Sequence, residues 1–167
     1  MECPSCDCKK TIKAEIITHR FKESGLDDVI LIGVKLYRCS NCGEEIYDYG
    51  DINQLNRIIT ETLLKKKGQL TGKEIRFLRS YVGYSSEMFA RILGYDKTSW
   101  SRIENDRSKI STQVNMAVRW AVAGKLADRD YDVHDLVLAM ENEDFVNFKN
   151  VQFKASHRRG WQLQKSA

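Results

Sequence analysis

Apolar and polar residues change rhythm along this chain, and the change divides it into parts. From Thr11 to Phe21 and again from Val29 to Arg38, β-branched and aromatic side chains crowd into runs separated by Ser24-Gly25 and Asp27-Asp28. Runs of this kind, bounded by turn formers, predict the two strands of a hairpin. After Tyr49-Gly50 the spacing becomes helical. Asp51 stands as a cap before Ile52, Leu55, Ile58, Ile59 and Leu63, and the run closes on Lys65-Lys66-Lys67-Gly68. Those lysines suit the negative end of a helix dipole and Gly68 suits its termination; contact with phosphate is the second reading of the same run.

Five further helices follow from caps and periodicity. Thr71-Gly72-Lys73-Glu74 has the form of a capping box, after which Ile75, Leu78 and Val82 mark a buried face and Gly83 an end. Ser85 caps a helix from Ser86 to Leu93 with Phe89, Ala90 and Leu93 apolar. Gly94-Tyr95-Asp96 makes a turn, and Asp96 caps the next helix, Lys97 to Asn105, with Trp100 and Ile103 facing inward. Two short helices across a glycine turn define a helix-turn-helix. A helix from Ser111 to Ala123 buries Val114, Ala117, Val118 and Ala121, leaving Met116 and Trp120 to one side as core or as a two-fold interface. Asp132 caps a short acidic helix with Leu136, Val137 and Met140 on one side. The tail from Lys149, including His157-Arg158-Arg159-Gly160-Trp161, reads as a solubilising end or a follower of phosphate.

The 167 residues are 42% hydrophobic and 30% charged, enough apolar material for a core and enough charge for a solvated surface. The expected fold class is α+β, with four segments: a β-rich zinc domain over 1–50, a connecting helix over 51–69, an all-α helix-turn-helix domain over 70–123, and a helical extension with a basic tail over 124–167. No apolar run approaches the roughly 18 residues of a membrane span, and Met1-Glu2-Cys3-Pro4-Ser5-Cys6 lacks the regions of a secretory signal. The expected location is therefore a bacterial-type cytoplasm. The net charge of +4 is modest, but its distribution is not: residues 1–56 hold 7 basic and 10 acidic side chains, whereas residues 57–110 hold 12 and 6. Residues 124–148 hold 2 and 7, and the tail from Lys149 holds 5 basic and none acidic. The positive middle is an electrostatic footprint for a polyanion or an ordinary soluble surface.

Four of the five cysteines form two pairs, Cys3-Pro4-Ser5-Cys6 and Cys39-Ser40-Asn41-Cys42. A two-residue spacer lets both thiolates of a tight turn face one ion, and two such turns supply the tetrahedral sulfur shell of a structural zinc. Gly43 fits the left-handed position after the second pair. One structural zinc is expected, with a rubredoxin-like iron cage and a redox or unliganded pair as the alternatives. Four thiolates close the shell and leave no position for a hydrolytic water. Cys8 reads as a free thiol or packing residue that could substitute for Cys6, and His19 as a solvent-facing or packing residue.

At the start of the Lys97–Asn105 helix, Lys97, Thr98, Ser99 and Arg102 project away from the Trp100 and Ile103 face. Such a helix fits the major groove, with Arg102 placed for a bidentate guanine contact; the alternative is a plain solvated face. Arg76, Arg79, Arg107 and Lys109 are candidates for phosphate. The stretch Ser85-Ser86-Glu87-Met88-Phe89-Ala90-Arg91-Ile92-Leu93-Gly94 and then Ser99-Trp100-Ser101-Arg102-Ile103-Glu104-Asn105 resembles the Cro/repressor-type helix-turn-helix family. Set after Cys-Pro-x-Cys and Tyr37-Arg38-Cys39-Ser40-Asn41-Cys42-Gly43-Glu44, it looks like the MqsA antitoxin family of zinc-finger and helix-turn-helix proteins, over residues 1 to about 123. That resemblance implies zinc ligands at Cys3, Cys6, Cys39 and Cys42 and base-reading positions at Thr98 and Arg102. It further implies a partner toxin on the zinc domain, and a homodimer that represses its own operon at a palindrome of double-stranded DNA. Residues 124–167 extend beyond the family pattern, so a free-standing regulator stands beside the antitoxin reading.

No catalytic machinery is visible: His19, His134 and His157 sit in unrelated contexts, and no phosphate-cradling glycine loop or nucleophile elbow occurs. The expectation is a non-enzymatic, sequence-specific transcriptional regulator. The alternatives are a thiol or metal redox enzyme built on the cysteine pairs and an interaction module that does not touch DNA.

Overall fold

A computed structural model describes residues 3–8, 13–127, 148–156 and 160–164. The fold is α+β, with a five-stranded sheet and five α-helices among the described residues. The chain forms two units. The first comprises Met1–Phe21, Asp28–Leu55 and Asn150–Ala167, and the second Lys22–Asp27 and Asn56–Lys149.

In the first unit, β1 (Lys13–Arg20) and β2 (Val29–Arg38) pair antiparallel, from Arg20 opposite Ile30 to Lys13 opposite Arg38. The register shifts between Ile17 and Thr18, which face Val34 and Ile32, so Gly33 is the extra residue of a β-bulge. Its φ of 90° lies where glycine is favoured. Side chains alternate along a strand, and one added residue reverses that alternation. This is why Val29 and Leu31 before the bulge and Val34 and Leu36 after it are all buried, two odd positions and two even ones.

The other edge of β2 is shared. Strand β3 (Glu45–Asp48) pairs antiparallel with Lys35–Arg38, while β4 (Val151–Ser156) lies parallel to Val29–Ile32. Strand β5 (Gly160–Gln164) closes the order antiparallel to β4. The basic tail expected after Lys149 is thus replaced by two strands. Val151 and Phe153 are buried between exposed Gln152 and Lys154, the period-two pattern of a half-buried strand. Trp161 is buried, its indole N–H donating to the Tyr49 carbonyl at 2.8 Å and its backbone N–H to the Gln54 side chain at 2.9 Å. The helix expected from Asp132 through Leu136, Val137 and Met140 lies outside the described residues.

Helix α1 (Ile52–Leu64) runs from the first unit into the second, followed by α2 (Gly72–Tyr81), α3 (Ser86–Ile92), α4 (Lys97–Glu104) and α5 (Thr112–Ala127). The expected caps are present. Thr71 and Glu74 form the reciprocal capping box, Ser85 accepts from the Met88 amide, and Asp96 accepts from the amides of Thr98 and Ser99. Ile75, Leu78, Phe89, Trp100, Val114 and Val118 are buried, with the rings of Phe89 and Trp100 edge to face at 5.5 Å.

Six polar residues are buried among the described residues, Thr60, Thr62, Glu74, Glu104, Asn115 and Arg119. Arg119, expected on no functional surface, donates to the carbonyls of Leu63, Leu64, Lys66 and Gly68, and so caps the C-terminus of α1 from α5. Asn115 accepts from the Leu70 amide at 2.9 Å, and Glu104 is 5% exposed. Desolvating these groups is costly, and the hydrogen bonds that each finds there offset that cost. The buried face of α5 is consequently Val114, Asn115, Val118, Arg119 and Val122, while Ala117, expected inside, is exposed and Ala121 half-buried.

Gly72 starts α2 against the main chain at the end of α4. A Cβ there would stand 2.6 Å from the carbonyl oxygens of both Ile103 and Glu104. Gly72→Ala is therefore expected to destabilise the helical unit by about 1–3 kcal/mol, as overpacking does. Urea unfolding followed by far-ultraviolet dichroism reads this, and an unchanged midpoint would contradict the close approach.

Candidate functional site

The two cysteine pairs sit on tight turns in the first unit. In the first turn, the Asp7 amide donates to the Cys3 carbonyl at 3.0 Å and the Cys3 amide to the Cys8 carbonyl at 3.3 Å. The second turn links β2 to β3: the Gly43 amide donates to the Cys39 carbonyl at 3.0 Å and the Cys39 amide to the Glu44 carbonyl at 2.9 Å. Gly43 takes φ 78°, the left-handed conformation expected of it. Across the turns, Cys3 Sγ lies 3.6 Å from Cys42 Sγ, and Cys6 Sγ 3.7 Å from Cys39 Sγ. All four sulfur atoms lie within 4.8 Å of one another.

A tetrahedral ion with metal–sulfur bonds of about 2.3 Å sets its sulfurs about 3.8 Å apart. The two cross-turn separations match that edge, so Cys3, Cys6, Cys39 and Cys42 can offer a metal ion four sulfur donors. Cys8 is a fifth thiol beside it. Its Sγ lies 3.2 Å from Cys39 Sγ, shorter than a tetrahedral edge, which is the distance of a hydrogen bond to the ligand sulfur. His19 lies apart from the cluster, among aromatic rings, with Nε2 3.2 Å from the Tyr49 hydroxyl and its ring 4.6 Å from Tyr47.

Crowded thiols do not ionise equally. Backbone amides of Cys42 and Asn41, then the Cys8 thiol, pull Cys39 down to about 6. The Asn41 side chain, followed by the backbone of Cys8, lowers Cys6. At Cys42 the Glu44 amide also lowers the pKa, but the neighbouring thiol of Cys6, burial and the thiols of Cys3 and Cys39 outweigh it and push the group up to about 12. Each thiolate repels the next, so full ionisation requires a cation among them.

The second candidate surface is on the helical unit. A short turn through Gly94, with φ 73°, joins α3 to α4. On α4, Lys97, Thr98 and Arg102 are exposed and Ser99 half-buried, while Trp100, Ile103 and Glu104 are buried. Arg107 and Lys109 are exposed just beyond the helix, and Arg102 and Lys109 border one hollow of about 200 Å³. Arg76 is exposed, although its guanidinium already donates to the Glu104 carbonyl and to Asn105 Oδ1.

Arg79 requires correction as a phosphate contact. Its side chain is 11% exposed and is held by Glu104 Oε1 at 2.6 Å and the Tyr84 carbonyl at 2.7 Å. Glu104 also accepts from the Ser86 hydroxyl at 2.9 Å, so one carboxylate joins α2, α3 and α4. Trp120 is 54% exposed on α5, outside the core, and Met116 is half-buried.

No family model, curated protein or solved structure matches this chain. Among the described residues no helix is long and apolar enough to cross a membrane.

Two outcomes are expected of the cysteine site. Cys39→Ser should abolish tight retention of a thiophilic metal and unfold the sheet around the cluster, because such an ion supplies roughly 10 kcal/mol or more of folding free energy. Metal analysis after dialysis, with dichroism before and after chelation, measures both. Metal affinity should also fall as the solution is acidified, because Cys42, pushed up to about 12, holds its proton against the ion throughout the neutral range, and more steeply below about 6, where Cys39 also takes up its proton. Competition titrations against a chelator of known pH dependence read that slope, and a flat profile would exclude thiolate ligation.

Proposed function

We propose that the chain is a sequence-specific, double-stranded DNA-binding regulator that acts as a homodimer, with α3 and α4 as its helix-turn-helix and α4 as the recognition helix. The observation that carries this reading is the two-sidedness of α4. Its rear is fixed by buried Trp100, Ile103 and Glu104, while Lys97, Thr98 and Arg102 are exposed at the front. A helix so held presents its first turn to base edges, and the exposed Arg107 and Lys109 supply charge for the neighbouring phosphates.

In this reading the cysteine cluster holds one structural zinc, because zinc accepts four thiolates in a closed tetrahedron without redox chemistry. The zinc unit offers a surface to a protein partner, in the manner of the antitoxins that the chain resembles, and the regulator represses its own operon at a palindrome. Exposed Trp120 on α5, with Met116 near it in sequence, is the candidate two-fold contact.

Arg102→Ala is expected to weaken binding to the operator by about 1–3 kcal/mol and to relax one base preference, with the fold retained. Titrations of the upstream promoter fragment and of random duplex at one fixed salt concentration separate base reading from charge. Equal losses on both would remove Arg102 from base recognition. Absence of salt-dependent binding by the unaltered chain would leave a protein-interaction module in place of a regulator.

A further inference from the structure

The turn that carries the first cysteine pair brings back a fifth sulfur that the metal shell does not need. Asp7 takes φ 52°, a left-handed conformation that residues other than glycine seldom adopt. The next residue returns to the start of the turn, where the Cys8 carbonyl accepts from the Cys3 amide at 3.3 Å. Cys8 Sγ consequently stands 3.2 Å from Cys39 Sγ, closer than either cross-turn pair at 3.6 and 3.7 Å. Four sulfurs complete a tetrahedron, so Cys8 lies outside the shell and against one of its corners.

Access separates the two members of this pair. Cys39 is 2% exposed, whereas Cys8 is half-buried. Half-buried Cys6 and exposed Cys42 also face solvent, but a bound cation holds an electron pair of each, and Cys6 accepts in addition from the Asn41 side chain at 3.6 Å. Cys8 is the sulfur that is both reachable and outside the shell. A small oxidant therefore reacts at Cys8, with a resolving sulfur already beside it. A disulfide bond is about 2.0 Å long, so the two atoms need approach by only about 1 Å.

We propose that Cys8 is an oxidation site for hydrogen peroxide, and that it passes the oxidation to Cys39 as a disulfide that opens the metal shell. The inference rests on the metal reading of the cysteine cluster and not on DNA binding. Cys8 Sγ bonds to one peroxide oxygen, the O–O bond breaks, and the departing hydroxide takes the thiol proton to become water. Cys39 Sγ then bonds to Cys8 Sγ with the electron pair that it had given to the ion, the S–O bond breaks, and the second hydroxide takes a proton from solvent. The two sulfurs have lost two electrons and the peroxide has gained them. Cys3, Cys6 and Cys42 remain, too few to close the shell. Because Cys8 and Cys39 come from opposite turns, the new bond keeps the turns joined as the ion leaves, and reduction rebuilds the site.

The test treats the zinc-loaded full chain, its metal content measured beforehand, with hydrogen peroxide while a chromogenic chelator follows release. Release is expected to accompany a linked pair of peptides in which fragmentation joins Cys8 to Cys39, and dithiothreitol with added zinc should restore the metal content. Cys8→Ser should hold zinc as the unaltered chain does and lose the peroxide-driven release, since no fifth thiol remains. Linkage confined to Cys3, Cys6, Cys39 and Cys42, release from Cys8→Ser at the unaltered rate, or failure of both Cys8→Ser and Cys8→Ala to hold zinc would overturn the assignment. A chain that carries no zinc before peroxide would instead remove the metal reading, with the bond between Cys8 and Cys39 then decided by the peptide map of the unaltered chain.

Discussion

One buried carboxylate holds the helical unit in register. Glu104 closes α4 and accepts from Arg79 on α2 and from Ser86 at the start of α3. An ion pair at 11% and 5% exposure is expensive to desolvate, and its value lies less in net stability than in the geometry that it imposes. The same end of α4 lies against Gly72, where no side chain fits, and accepts from Arg76 through its backbone. Three helices thus converge on one turn of chain. Those contacts are made at the rear and C-terminus of α4; at its front, exposed Lys97 lies 3.9 Å from the Glu87 carboxylate of α3.

Capping made the helices readable. Thr71, Ser85 and Asp96 bond the amides that their spacing implied, and the turn at Gly94 follows the residue that permits it. The cysteine turns were equally legible, since the spacer between paired thiols encodes the geometry directly. Arg79 was not. Its partner Glu104 is 25 positions away on another helix, and an arginine bound for the interior looks in sequence like one bound for the surface. Arg119 and Asn115 escaped for the same reason: apolar periodicity marks a buried face but says nothing of polar residues that reach main-chain carbonyls or amides.

The terminal strands show a different limit. Val151, Phe153 and Ala155 alternate with Gln152, Lys154 and Ser156, a period-two signal that was present but masked by the basic residues after it. Pairing between Val29 and Val151 carries no local signature at all, because it depends on where the intervening helices return the chain. The bulge at Gly33 is likewise a consequence of register. A lone glycine within an apolar run marks either a weak point or a deliberate offset, and only the pairing of Ile17 with Val34 and Thr18 with Ile32 decides between them.

The parallel ladder between β2 and β4 makes the sheet a joint product of the segments before and after the helices. During synthesis the helices emerge whole and can settle on local contacts, whereas Val29–Ile32 of β2 must wait with one edge uncovered until β4 leaves the ribosome. Interrupted translation or clipping within the segment before β4 would strand that apolar edge in solution, a ready template for association with other nascent chains. Completion of this sheet therefore depends on β4 and β5, far along the chain from the cysteine turns beside β2.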